Sequence, residues 1–187
     1  MDSIKLGMIE DSKSVRESLE LFFSRNEDIY MCLVADSVET FLDKIDNSLA
    51  PDIILCDISL PGMNGIDGIR KIKAVLPHVD IIMLTVFNDS ERIFKALCAG
   101  AVGYVLKSTR MSEVLRSILE VHAGGSYMTP SIARKVVEYF SPVKSKSKET
   151  FSPREKQIIQ ALTDGLSYIL IADRLSISVD TVRTYIK

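Results

Sequence analysis

The sequence predicts an α/β protein: a doubly wound, five-stranded parallel sheet followed by a small all-α helix-turn-helix domain. Three observations carry this prediction. Short apolar runs alternate with stretches of helical periodicity over residues 1–125. The runs are continuously apolar, as expected of parallel strands covered on both faces. Beyond residue 150 the strand pattern stops and three helical stretches follow.

The expected strands are IKLGMI (4–9), YMCLV (30–34), DIILC (52–56), DIIML (80–84) and GYVL (103–106). Between them apolar residues return every three or four positions: Val15, Leu19, Phe22 and Phe23, then Val38, Phe41, Leu42 and Ile45, and later Leu115, Ile118 and Leu119. That spacing lays an apolar stripe along one side of a helix. Gly100, Gly103 and the Gly124-Gly125 pair punctuate the pattern. An extra helix from about Pro130 to Phe140 leads into SPVKSKSKET, a Ser/Lys-rich linker. The expected domains are therefore 1–125, a helix and linker over 126–150, and 151–187. In the last, Ser152, Pro153 and Glu155 form a capping box that starts a helix ended by Gly165. A second helix runs from about Ser167 to Leu175, and Ser178 caps a third. Leu166, Ile171, Ala172, Leu175, Ile177 and Val182 have the spacing of a small shared core.

Composition narrows the function classes. The chain has 187 residues, 47% hydrophobic and 26% charged, which suits a soluble globular protein. No apolar run approaches the roughly 20 residues that span a bilayer, and the N-terminus has no signal-peptide pattern, so a cytoplasmic protein without membrane contact is expected. Cys32, Cys56 and Cys98 lack metal-ligand spacing and are expected to pack as small hydrophobes. His78 and His122 are the only histidines, which leaves little material for a multi-histidine metal site or a Ser–His–Asp triad. Charge is uneven: residues 1–143 hold 15 Lys and Arg against 20 Asp and Glu, whereas 144–187 hold 8 against 5. An acidic body with a basic tail suggests two modules with different partners.

The segment LCDISLPGMNG (55–65) places Asp57 where an apolar strand meets a turn. Open parallel sheets bind ligands outside the carboxyl ends of their strands. Glu10 and Asp11 follow the first strand, Asp57 the third, Thr85 the fourth and Lys107 the fifth. Three hard carboxylates suit Mg²⁺. A threonine hydroxyl and a lysine ammonium suit phosphoryl oxygens. Together these groups fit in-line phosphoryl transfer to a carboxylate. Any one of them alone reads as a solvated loop residue; five at the correct strand ends read as a pocket.

On the motifs IED (9–11), CDISLPGMNG (56–65), MLT (83–85) and GYVLK (103–107), the sequence resembles the receiver domain of bacterial two-component response regulators over roughly 3–122, a flavodoxin-like fold. The resemblance implies that Asp57 is the phosphoacceptor for a sensor histidine kinase, and that Glu10, Asp11, Asp57 and the backbone carbonyl of Ser59 hold Mg²⁺. It further implies that Thr85 is the switch hydroxyl, Tyr104 the switch aromatic that moves inward, and Lys107 the active-site lysine. Val86 and Ser108 depart from the family's common Ala and Pro at those positions.

In the tail, two short helices joined by a tight turn fit a helix-turn-helix whose third helix presents Arg183, Thr184 and Lys187 outward, with Tyr185 nearby. Arg and Lys can meet the phosphate or guanine of double-stranded DNA. The plainer alternative is a helical pair with a wet charged face. SPRE, the GLS turn, IAxxLxIS and TVR make the segment similar to the NarL/FixJ (LuxR-type) DNA-binding domain. Ile169 stands where that family usually has a polar residue. The chain is expected to stop inside the recognition helix, short of a fourth helix that completes and dimerises such domains.

The expected function is thus a response regulator that controls transcription, homodimeric when phosphorylated, and no enzyme beyond assisting its own phosphorylation and dephosphorylation. A haloacid-dehalogenase-like phosphatase would want a second Asp two residues after the nucleophile, where Ser59 stands. A pure interaction module would not need all five pocket residues.

Overall fold

In the computed structural model, residues 3–45, 50–140 and 152–186 are described. The chain divides into two compact units, residues 1–141 and 142–187. The linker expected over 141–150 and Lys187 lie outside the described residues.

In the first unit the elements alternate as predicted: β1 (Ile4–Ile9), α1 (Lys13–Phe23), β2 (Ile29–Ala35), α2 (Val38–Lys44), β3 (Ile53–Cys56), α3 (Gly65–Val75), β4 (Asp80–Thr85), α4 (Ser90–Ala99), β5 (Gly103–Leu106) and α5 (Met111–His122). The sheet has six strands where five were expected, in the order β2-β1-β3-β4-β5-β6. The sixth, β6 (Tyr127–Met128), pairs in parallel with β5 through Gly103 and Tyr104. Two residues are too few to show periodicity, so composition could not separate them from a loop. The helix α6 (Pro130–Phe140) follows and packs against α4 and β6.

Every strand pairing is parallel, and side chains pass alternately to two cores. Ile54, Cys56, Ile81 and Met83 meet Phe41 of α2, Ile69 and Ile72 of α3, Ile93 of α4 and Ile132 of α6 on one face. Ile53, Leu55, Ile82 and Leu84 meet Leu19 and Phe23 of α1 and Val114, Ile118 and Val121 of α5 on the other. Each such fully buried side chain stabilises the fold by about 1.5–3 kcal/mol relative to exposure. Burial on both faces is why these strands carry no polar alternation. In α5 the apolar stripe is rotated from its expected phase: Val114, Ile118 and Val121 are buried, while Leu119 remains 39% exposed. The cysteines divide similarly. Cys56 is buried and Cys32 half-buried, but Cys98 is exposed on α4, against expectation.

The second unit contains α7 (Pro153–Thr163), α8 (Tyr168–Arg174) and α9 (Val179–Ile186). The predicted capping box forms at Ser152 and Glu155. Ser167 accepts from the Leu170 N–H, and Ser178 from the Thr181 N–H at 3.0 Å. Ile158, Ala161, Ile171, Ala172 and Val182 make its small core, with Leu166, Leu175 and Ile177 packed around them. Among the described residues no helix is long and apolar enough to cross a membrane.

Candidate phosphoryl-accepting site

The strand order reverses between β1 and β3, and the acidic residues sit at that crevice. Ile9 is in register with Cys56, and Cys56 with Met83, so Glu10 and Asp57 leave neighbouring strands at one level and Thr85 ends the next. The backbone carries this alignment past the strands: the Asp57 N–H donates to the Ile9 carbonyl at 3.0 Å and the Lys107 N–H to the Thr85 carbonyl at 2.8 Å. Strand geometry, not loop chance, brings these side chains together.

Glu10 and Asp57 are buried and Asp11 is exposed. One carboxylate oxygen from each lies within 4.8 Å of the others, close enough to share a metal ion. Lys107 reaches in from the end of β5, its Nζ 2.7 Å from Asp57 Oδ2 and 2.7 Å from Glu10 Oε2. The second Asp57 oxygen, Oδ1, accepts the Ile58 N–H at 2.6 Å, and Glu10 Oε1 accepts the Ser12 N–H at 3.1 Å. Burial pushes the Glu10 carboxyl above its usual range, against the opposing pull of Lys107 and Ser12. For Lys107, burial works to lower the ammonium pKa, but hydrogen bonds and charge from Asp57 and Glu10 prevail and raise it. The lysine is therefore held as a cation between two anions.

Thr85 is fully buried, and its Oγ1 has no hydrogen-bond partner among the described residues. A buried hydroxyl without a partner costs free energy that an incoming acceptor would recover. Tyr104 was expected to move inward on activation; its ring is already fully buried, with the hydroxyl donating to the Phe87 carbonyl at 2.9 Å. Burial raises its phenol pKa, so it remains a donor. Ser59 lies exposed in the turn two residues after Asp57.

Two contributors escaped the sequence reading. Arg16 of α1 donates to the carbonyls of Glu10 at 2.5 Å and Asp11 at 2.7 Å, fixing the acidic loop. One arginine on a helix carries no pattern that distinguishes it from a solvated charge. Gly65 opens α3 so close to the nucleophile candidate that an added Cβ would stand 1.8 Å from the Asp57 carbonyl oxygen. Its N–H donates to the Ile58 carbonyl at 2.9 Å.

In the second unit, Arg183, Thr184 and Tyr185 are exposed on α9, as the sequence placed them. Arg183 is engaged by Asp180 of its own helix at 3.0 Å, and the Thr184 hydroxyl donates to the Asp180 carbonyl at 2.9 Å.

Comparison with known proteins matches the chain to two families. Residues 7–119 match the response regulator receiver domain. Residues 149–187 match the bacterial regulatory proteins of the luxR family. The transcriptional regulatory protein LnrK of Bacillus subtilis (strain 168) is 31% identical over 98% of this chain and 87% of its own length. The response regulator GacA of Pseudomonas aeruginosa is 30% identical over 97% of this chain and 86% of its own. The crystal structure of response regulator ChrA, from a heme-sensing two-component system, superposes with a TM-score of 0.67 at 28% identity, covering 100% of this chain and 88% of that one. The chain therefore belongs to the response regulators, with a receiver domain followed by a LuxR-type regulatory domain.

Proposed function

We propose that Asp57 accepts a phosphoryl group from a sensor histidine kinase in the cytoplasm, and that the second domain answers by binding double-stranded DNA to control transcription. The observation that carries this reading is the convergence of three carboxylates, with Lys107 held 2.7 Å from Asp57 Oδ2, at the reversal point of the sheet.

The carboxylates of Glu10, Asp11 and Asp57, with the Ser59 carbonyl, are the oxygen donors that would hold Mg²⁺, which the chemistry of hard ligands favours. When bound, Mg²⁺ supplies positive charge that offsets the charge of the transferring group. An Asp57 oxygen attacks phosphorus in line, and the bond from phosphorus to the donor nitrogen breaks with its electron pair leaving on the imidazole. Lys107 then places its ammonium on the phosphoryl oxygens. The Thr85 hydroxyl, without a partner among the described residues, donates to another. With its ring inside, Tyr104 ties that rearrangement to the Phe87 carbonyl.

Phosphorylation would bias the receiver toward a pairing-competent state, giving a homodimer that presents two copies of α9 to a two-fold-related DNA site. Arg183, Thr184, Tyr185 and Lys187 are the residues we assign to that contact. The deciding experiment is labelling by acetyl phosphate with Mg²⁺. Wild type should take up one phosphoryl group and Asp57→Asn none; persistent labelling of the variant would remove Asp57 from the role.

A further inference from the structure

No sequence motif assigns α6 a task, yet its contacts lead back to the proposed phosphoryl-accepting pocket. Ile132 is fully buried in the core, the Tyr139 ring stacks on Phe94 of α4 with centroids 3.9 Å apart, and Phe140 meets Phe94 edge-on at 5.6 Å. One turn before that stack, Lys135 donates through Nζ to the carbonyl of Asn88. Asn88 lies in the four-residue connection, 86–89, between Thr85 and α4. The same connection is held by Tyr104 on the Phe87 carbonyl, by the Arg92 guanidinium 4.1 Å over the Phe87 ring, and by Asp89 as the cap of α4.

We propose that Lys135 is a positioning residue for phosphotransfer: by holding Asn88 it fixes the backbone beside Thr85, and it thereby couples α6 to Asp57. The argument rests on the assignment of Asp57 as phosphoacceptor. The Thr85 hydroxyl is buried without a partner among the described residues, an arrangement a free loop would relieve by turning the hydroxyl toward water or a carbonyl. It persists because the connection that follows it is anchored at both carbonyls, by Tyr104 from β5 and by Lys135 from α6. Coupling is reciprocal. If docked α6 favours the receiving arrangement, a phosphoryl group that engages Thr85 favours docked α6. The helix ends at Phe140, directly before the segment that leads to the second domain, so such coupling is positioned to carry the signal onward.

The test is the initial rate of Asp57 labelling by acetyl phosphate with Mg²⁺ in the full chain. Lys135→Met keeps the aliphatic stem and removes the donor. It should label about fivefold more slowly, the size of one hydrogen bond, with an unchanged melting temperature. Lys135→Arg should restore the rate to within about twofold. In wild type, amide exchange over 130–140 should slow on phosphorylation, and in Lys135→Met it should not respond. Labelling of Lys135→Met at the wild-type rate overturns the proposal, as does slow labelling accompanied by a lowered melting temperature and no rescue by arginine. Exchange indifferent to phosphorylation in wild type overturns the coupling to α6. Wild type that does not label at Asp57 overturns the functional assignment and this proposal together, which separates the two failures.

Discussion

Lys107 Nζ stands 2.7 Å from Asp57 Oδ2 and 2.7 Å from Glu10 Oε2, so one cation serves two buried carboxylates. The lysine side chain is only 17% exposed, which removes most of the solvent screening that makes surface pairs weak. Lys107→Met would leave Glu10 and Asp57 facing each other without compensation. We expect a loss on the order of 3 kcal/mol in urea unfolding at neutral pH, largely recovered by Mg²⁺, whose charge replaces the missing ammonium. A variant as stable as wild type without metal would show that the pair contributes nothing net. Because its folded pKa is raised above 10.5, the contribution of Lys107 is complete below that pH and fades only as pH climbs through the higher folded value.

Asp11 is exposed, unlike its neighbour, and forms no ion pair with a lysine or arginine among the described residues, whereas Glu10 and Asp57 share Lys107. It is therefore the acid most available to a metal. Asp11→Ala should weaken Mg²⁺ binding by about tenfold, or ~1.4 kcal/mol, and shrink the thermal stabilisation that Mg²⁺ confers. Equal shifts in wild type and variant at matched Mg²⁺ would move the metal elsewhere.

Glu10 gives a pH dependence with a definite sign. Its folded pKa lies above the reference value of 4.5 because it is buried, so the folded chain binds this proton more tightly than the unfolded chain. Stability therefore falls as pH rises from about 4.5 through the folded pKa, where the buried carboxylate must ionise. Relative to wild type, Glu10→Gln should gain stability over that same interval. Mg²⁺ affinity of wild type should rise across it, since metal and proton compete for the site. A difference in stability that does not change with pH would contradict the burial of this group.

Gly65 allows α3 to begin against the backbone of Asp57. An alanine Cβ would stand 1.8 Å from the Asp57 carbonyl oxygen, and that neighbour is main chain, unable to swing aside. Gly65→Ala should cost about 1–3 kcal/mol or more and suppress phosphoryl uptake by displacing Asp57, the proposed acceptor. Calorimetry with acetyl phosphate labelling checks both; a stable variant with normal uptake would mean the helix start shifts freely.

What the sequence made legible, and what it did not, follows from range. Asp57 could be read because an acid ending the run Ile53–Cys56 breaks the apolar pattern locally, and Ser152 with Glu155 announced a helix start within four residues. Glu10, Thr85 and Lys107 followed once parallel strands were assumed, since parallel pairing aligns all their carboxyl ends. By contrast, β6 was hidden by its length, and the true inward phase of α5 by the presence of both Leu115 and Leu119 beside Ile118. Arg16 on Glu10, Gly65 on Asp57 and Lys135 on Asn88 depend on how elements pack, which no local window contains. Tyr104 could be placed on its strand but not given a rotamer: its fully buried ring is set by the Phe87 carbonyl.

On α9, Arg183 and Asp180 form an exposed pair at 3.0 Å within one helix. Such pairs are weak, so Arg183 can exchange Asp180 for a DNA phosphate or a guanine edge at little cost. Arg183→Ala should leave stability within about 0.5 kcal/mol of wild type while weakening DNA binding. If the contact is to phosphate, the salt dependence of log affinity should lose a slope of about one. If it is to guanine, discrimination at one base pair should relax by about 1–3 kcal/mol instead. Asp180→Asn works in the opposite direction. It frees Arg183 and removes a negative charge from the face we assign to DNA, so affinity should rise, at a small cost to the first turn of α9, where the acid suits the helix dipole. Titrations of both variants against an operator-bearing duplex at several salt concentrations decide the matter. Affinity unchanged in both would mean that α9 does not face the nucleic acid.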